Sequence, residues 1–348
     1  MIFPEINTLL SEATVDHPRQ SEASIAVLAD GRLLAAWSDF YGGVWGDNGP
    51  ARIVGRWSED QGVTWSDTFT LQENIGRINC MSASLLVLPS GRILLAFGRK
   101  DREDELLHGM VKWSDDAGRT WSEPRDITRG EAYWCHTNDR LVRLASGRIL
   151  YPMSEDSRVG CHVWLSDDDG RSWRPSESGI VPPAGVAYEE PTVVEMPDGR
   201  LAMFIRTDTG NVHTALSDDG GLTWRPWKTH APDMCGHKDC GPNAARSPSM
   251  VKRVPGTGDL LLVWNNNHVR TPLVAAVSRD NAETWGPPRT IEPMDGWPPR
   301  LTHAYPSLAF QDDCVHLTYW ETHAHEQAER LIHLRYRRLP VEWFYQHA

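Results

Sequence analysis

The sequence predicts an all-β fold, a six-bladed β-propeller with four antiparallel strands per blade. A hairpin pattern occurs six times along the chain, and a tryptophan-containing turn motif occurs five times in phase with it. The third sign is composition: 16 Trp against 7 Phe and 8 Tyr in 348 residues, as expected when a repeat unit carries a tryptophan.

Each hairpin is an apolar, β-prone run, a tight turn and a second such run. The copies span 24–37, 84–97, 140–153, 192–205, 249–264 and 307–320. Their turn residues Gly31, Gly91, Gly147, Gly199, Gly258 and Asp313 recur every 52–60 residues. Four-stranded units at this period are propeller blades, which bury their faces by stacking around an axis. The turn motif is Ser-x-Asp-x-Gly-x-Thr-Trp, beginning at Ser58, Ser114, Ser166, Ser217 and Ser278, with Ser172 for Thr in the third copy and Ala282 for Gly in the fifth. It reads as a staple between third and fourth strands. The Asp accepts backbone N–H groups and the Gly takes the positive-φ position. The sixth unit lacks the motif. Its third strand is expected near 331–337, and the segment near 6–10 is expected to supply its fourth, so that 1–348 forms a single domain.

The formal charge of −12 argues against a general nucleic-acid or anionic-membrane binder. No run of 18 apolar residues exists, so no spanning helix is expected. The first twenty residues lack the basic-then-apolar layout of a signal peptide, and six cysteines are scattered. Both point to reduced thiols and a cytoplasmic protein. Cys235, His237 and Cys240 offer three ligand types without a fourth, so neither a metal nor a cofactor is expected.

The five turn motifs resemble the Asp boxes of the sialidase superfamily, and the resemblance runs over nearly the whole chain. It implies an active centre on the propeller axis. His303-Ala-Tyr305-Pro-Ser-Leu resembles the segment carrying the sialidase nucleophile. Glu190-Pro-Thr-Val-Val-Glu195 resembles the segment carrying its proton-accepting partner, with Arg206 closing that hairpin. Asp47, in a Gly-rich connection, resembles the acid/base. The gap from Gly31 to Ser58 is 27 residues, against 18–23 in the other Trp-motif units. In sialidases a tyrosine attacks because the reacting carbon already bears a carboxylate that would repel a carboxylate nucleophile. Arginines clamp that carboxylate through bidentate pairs. Arg206 and Arg270 match this clamp, while Arg246, Arg140, Arg99 and His136 fall at other funnel-facing positions. Where sialidases carry Arg-Ile-Pro before the first hairpin, this chain has Arg19-Gln-Ser21-Glu22. Arg19, Arg140 and Arg246 are the candidates to fill that role.

The resemblance implies an exo-acting glycoside hydrolase that releases a terminal sialic-acid-like or other acidic sugar, with a carbohydrate as its partner. Two alternatives stand beside it. One is a uronate-directed polysaccharide lyase using Tyr305 with His136 or His303. The other is a non-catalytic carbohydrate-binding propeller.

Overall fold

The computed structural model describes residues 4–128, 130–227, 245–323 and 330–346. All six hairpins pair antiparallel. Repeats two, four and five each form one four-stranded sheet. Repeat three forms a five-stranded sheet because its first strand is split into Trp134–Cys135 and Val142–Arg143. Repeats six and one share an eight-stranded sheet, whose halves meet at a single parallel bridge, Arg19 to Ile332. Ile6–Ser11 pairs antiparallel with Ile332–Pro340, the third strand of repeat six. The first strand thus ties the start of the chain to its end.

The hairpin strands read as continuous apolar runs because both sheet faces are covered. On Leu33–Phe40 the side chains alternate. Leu33, Ala35 and Trp37 pack against repeat six beside Leu334 and Tyr336. Leu34 and Ala36 pack against repeat two beside Leu95 and Phe97. Four further clusters join repeats two and three, three and four, four and five, and five and six in the same way.

Each turn motif forms the expected staple. In the second copy Asp116 Oδ1 accepts Ser114 Oγ at 2.8 Å and the Thr120 amide at 2.9 Å, while Oδ2 accepts Thr120 Oγ1 at 2.6 Å. Gly62 shows why glycine is used: φ is +83°, and a Cβ would fall 1.9 Å from Tyr336 Oη. The fifth copy places Ala282 at φ +61°. The motif tryptophans are less buried than full core residues: only Trp224 is buried, and the other four are half-buried.

A second device positions the centre of the molecule. Glu22, Ser82, Glu190 and Tyr305 each have positive φ (55°, 65°, 44° and 58°) inside the first strand of their repeat. At each one the strand pairing slips by one residue, a β-bulge that redirects the side chain. Asp139 (φ 58°) occupies the corresponding place in repeat three, between its two strand fragments. Two residues beyond three of these bulges, a serine hydroxyl accepts a backbone amide from a neighbouring repeat. Ser307 takes Ile25 at 3.1 Å, Ser24 takes Leu85 at 2.9 Å and Ser84 takes Arg140 at 2.8 Å.

The staple has a pH signature. Hydrogen bonds from the Thr120 side chain and amide, and from Ser114, lower the Asp116 pKa to about 2. This contribution to stability is complete above the ordinary value and is lost as pH falls through about 2. Asp116→Ala is expected to lower the melting temperature by several degrees at neutral pH, and the deficit should shrink between about pH 4 and pH 2. Thermal denaturation across that range tests it; a deficit that grows as the solution is acidified contradicts the staple.

Candidate active site

Three of the bulge residues, Glu22, Glu190 and Tyr305, line a cavity of about 480 Å³ to which all six repeats contribute. Tyr305 from repeat six and Glu190 from repeat four lie 115 residues apart in sequence. The Tyr305 hydroxyl donates to Glu190 Oε1 at 3.1 Å. Arg206 donates to the other Glu190 oxygen through Nη1, which also lies 3.3 Å from the Tyr305 hydroxyl. Its Nε faces Glu189 at 3.1 Å, and Arg246 pairs with the same Glu189 at 2.5 Å. Trp320 stands edge-on to Tyr305 at 4.9 Å between ring centres.

Burial and the Glu190 charge push the Tyr305 phenol above its ordinary pKa, against the opposing pull of Arg206 and Arg270. The resting phenol is therefore neutral at pH 7 and must hand a proton to a partner before it can attack. Glu190 is in contact to take it.

Arg19, also in the cavity lining, is buried and bridges two carboxylates. Its Nη1 reaches Asp47 at 2.5 Å, its Nη2 binds Glu22, and its Nε donates to Ser21 Oγ at 2.8 Å. Glu22 also accepts Ser82 Oγ at 2.9 Å and Ser38 Oγ at 3.3 Å. Burial raises the Glu22 pKa, and Arg19 only partly offsets this. Asp47 is different. Its side chain is 65% exposed, and Arg19 holds its pKa below the ordinary value. The Asp47 loop is pinned by Asn79, which donates to the Asp47 and Gly49 carbonyls, both at 2.9 Å.

Asn138 sets the backbone of this region. Its amide, fully buried, donates to the Ala23 carbonyl at 2.7 Å and the Tyr305 carbonyl at 3.2 Å. Asp139 accepts Lys252 at 2.7 Å, Ser307 Oγ at 2.8 Å and the Leu308 amide at 3.0 Å. The segment between the strand fragments of repeat three thus links repeats one, five and six.

Of the sequence-derived candidates, Tyr305, Glu190, Asp47, Arg206, Arg270, Arg246 and His136 line the cavity. Arg99 and Arg140 do not. Arg99 pairs with Asp101 at 2.9 Å, away from the cavity. Arg140 is 1% exposed and donates to the Ser249 carbonyl at 3.2 Å. Burial lowers its pKa to about 10, so it remains charged at pH 7. His136 lines the cavity with one ring nitrogen engaged. Nδ1 donates to the Trp134 carbonyl at 2.9 Å, and Nε2 is turned towards Gly98, where a Cβ would come within 3.1 Å. Burial lowers its pKa to about 4 and keeps it neutral. His303 is 3.1 Å from Glu321, outside the cavity lining. Among the described residues no cluster of three His, Cys, Asp or Glu side chains is arranged to hold a metal ion. Cys235, His237 and Cys240 lie outside the described residues.

Sequence reasoning counts Glu22 and Glu189 among the funnel-facing polar residues without giving them a role, and it leaves Arg330 out. Glu22 carried a usable signal. It lies nine residues before turn glycine Gly31, as Glu190 does before Gly199. Arg330 had none, because it follows a connection whose course the hairpin pattern does not constrain.

The fold and this cavity define a member of the sialidase-like superfamily. The chain belongs to the family described as BNR repeat-like domain, whose profile matches residues 31–317. A sialidase from Micromonospora viridifaciens is 25% identical over 218 residues, 56% of this chain and 32% of that protein. An anhydrosialidase from Macrobdella decora is 30% identical over 125 residues, 33% of this chain and 16% of that protein. The chain therefore spans well under two thirds of the length of these curated relatives. Among solved structures, an intramolecular trans-sialidase from Ruminococcus gnavus superposes with a TM-score of 0.76 at 15% identity, covering 96% of this chain and 97% of that one. Similarity at that level carries the propeller-like fold.

Removing the Asn138 amide leaves the Ala23 and Tyr305 carbonyls unsatisfied, at about 1–3 kcal/mol. Asn138→Ala is expected to be less stable by that amount in urea unfolding. An unchanged midpoint and slope would show that the Ala23 and Tyr305 backbones are held by something else.

Proposed function

We propose that this protein is a sialidase-type glycoside hydrolase that releases a terminal acidic sugar, acting through Tyr305, Glu190 and Asp47 in a single domain of six four-stranded blades. The observation that carries this reading is the 3.1 Å contact between the Tyr305 hydroxyl and Glu190, inside a cavity that also holds Asp47 and arginines. The blade count rests on the six inter-repeat clusters, the last of which joins repeat six to repeat one.

In the first step Tyr305 Oη bonds to the anomeric carbon as the glycosidic C–O bond breaks. The phenol proton passes to Glu190, and Asp47 protonates the departing oxygen. In the second step water attacks the same carbon and gives a proton to Asp47. The tyrosyl C–O bond breaks and Glu190 returns the proton to Tyr305. The route balances without an external oxidant or reductant. Asp47 rests as the anion paired with Arg19, so substrate must loosen that pair before Asp47 can donate a proton. The lyase alternative finds less support: His303 lies outside the cavity lining beside Glu321, and burial keeps the His136 ring neutral.

Two variants test the reading on fluorogenic sialosides and glycosides of other acidic sugars. Glu190→Gln should reduce kcat by about 10²–10⁴-fold. Tyr305→Phe should abolish turnover while still binding sugar; turnover retained in Tyr305→Phe would remove the nucleophile assignment. Arg206→Lys should lower kcat as well as raise KM, because one ammonium cannot hold Glu189, Glu190 and the phenol together. A change in KM alone would return Arg206 to a pure substrate-binding role.

A further inference from the structure

Lys252 comes from repeat five and Asp139 from repeat three, and neither lines the cavity that holds Tyr305. Both line a second cavity of about 380 Å³, at the turn ends of the first strands of repeats four and five, beside Glu195 and Arg253. The Asp139 side chain is 1% exposed and that of Lys252 28%. Among the described residues Lys252 is the one cation paired with Asp139.

This pair is fastened to the backbone that carries Tyr305. Asp139 Oδ2 accepts Ser307 Oγ at 2.8 Å and the Leu308 amide at 3.0 Å. The Lys252 ammonium donates to Asp139 Oδ1 at 2.8 Å and to the Leu308 carbonyl at 2.5 Å. Both backbone groups of Leu308 are thus held from outside its own repeat. Only Pro306 separates Tyr305 from Ser307, and its ring fixes φ, so the segment is stiff. Tyr305 itself sits at φ +58°, a conformation that persists only where the surroundings hold it. At the near end the Asn138 amide takes the Tyr305 carbonyl at 3.2 Å. The stretch from 305 to 308 is therefore gripped by adjacent residues 138 and 139, and Lys252 supplies the charge that balances the second of them. Removing the ammonium strands a buried carboxylate and releases the Leu308 carbonyl.

We propose that Lys252 is a positioning residue for the reaction: through Asp139 it fixes the Tyr305–Leu308 backbone, so that the phenol stays in register with Glu190, 3.1 Å away. This rests on the hydrolase reading above and adds to it a residue outside the reacting cavity. A misplacement of about 1 Å from a change far from the chemistry can cost on the order of a hundredfold in rate. Ground-state binding is carried by side chains outside 305–308, so kcat rather than KM responds.

Three variants test this: Lys252→Met, Lys252→Arg, and Lys252→Met combined with Asp139→Asn. Kinetics use whichever sialoside or acidic-sugar glycoside the unmodified protein cleaves, and crystal structures give the Tyr305–Glu190 distance. Lys252→Met is expected to lose about tenfold to a hundredfold in kcat, with KM within about twofold. Its Tyr305 hydroxyl should move from Glu190 by about 0.5 Å or more. Lys252→Arg keeps the charge and should recover most of kcat. The double variant strands no carboxylate and serves if Lys252→Met does not fold. It still lacks the Leu308 contact, so kcat should fall by about tenfold. An unmoved phenol, or kcat unchanged in both Lys252→Met and the double variant, overturns the positioning role. A lower melting temperature with unchanged kcat reduces Lys252 to a stabilising residue and overturns it equally. Failure of the hydrolase reading looks different: the unmodified protein would cleave no glycoside, and the Tyr305–Glu190 distance in the variants would still decide whether Lys252 sets the phenol.

Discussion

The site depends on one backbone irregularity used repeatedly. A regular strand points successive side chains to alternate sheet faces, and here both faces are occupied by neighbouring repeats. A break in strand register turns a side chain towards the centre, which Arg19 and Arg206 at strand ends reach without one. The bulges at Glu22, Glu190 and Tyr305 do this, and each puts a non-glycine residue in the left-handed region. Such positions cost on the order of 1–3 kcal/mol each and persist only where the surroundings hold them. For Glu22 and Tyr305 the holding groups are identifiable: the hydroxyls of Ser24 and Ser307 cross to adjoining repeats, and Asn138 grips the Tyr305 carbonyl.

This division separates stability from chemistry in the sequence. The turn motifs hold the third and fourth strands together through Asp60, Asp116, Asp168, Asp219 and Asp280, each accepting from a Ser two residues before it and from a Thr or Ser four residues after it. They are acidic and numerous, yet none lines the cavity. The cavity carboxylates occur singly, and two of them, Glu22 and Glu190, sit on bulges. An acidic residue in a repeat motif of this fold is a structural staple unless it falls at the bulge.

Periodicity made most of the fold legible, because each hairpin must present apolar side chains to two neighbours and so writes the same pattern six times. The joining of Ile6–Ser11 to the last repeat was legible for the same reason: the sixth unit lacked one strand. The site was legible where it coincided with a hairpin start or end, as with Glu190, Arg206 and Tyr305. It was misread where polar residues near the centre are spent on holding the ring. Arg140 and Arg99 occupy plausible positions, but one reaches the Ser249 carbonyl and the other turns to Asp101. Spacing along a strand cannot tell a side chain that faces the cavity from one that braces its floor. Arg330 was invisible for a different reason: it lies outside the hairpin pattern, and its neighbours Trp45 and Arg270 come from other repeats.

Charge pairing then limits what the cavity can accept. The Tyr305–Glu190 pair needs a carboxylate beside a buried phenol, and Arg206 makes that tolerable by touching both. Arg19 does the same for Glu22 and Asp47. Each neutralised wall is therefore inert towards a free anion at rest, and a ligand charge must either displace a protein carboxylate or find an unmatched cation. Displacing buried Glu22 would leave a charge stranded in a low-dielectric setting, whereas displacing Asp47 releases an already exposed side chain to water. The weaker link is thus the Arg19–Asp47 pair. Loosening it lets the Asp47 pKa rise from its depressed value, the direction a proton donor requires. In the proposed mechanism, substrate entry and the protonation of Asp47 would be coupled through a single guanidinium.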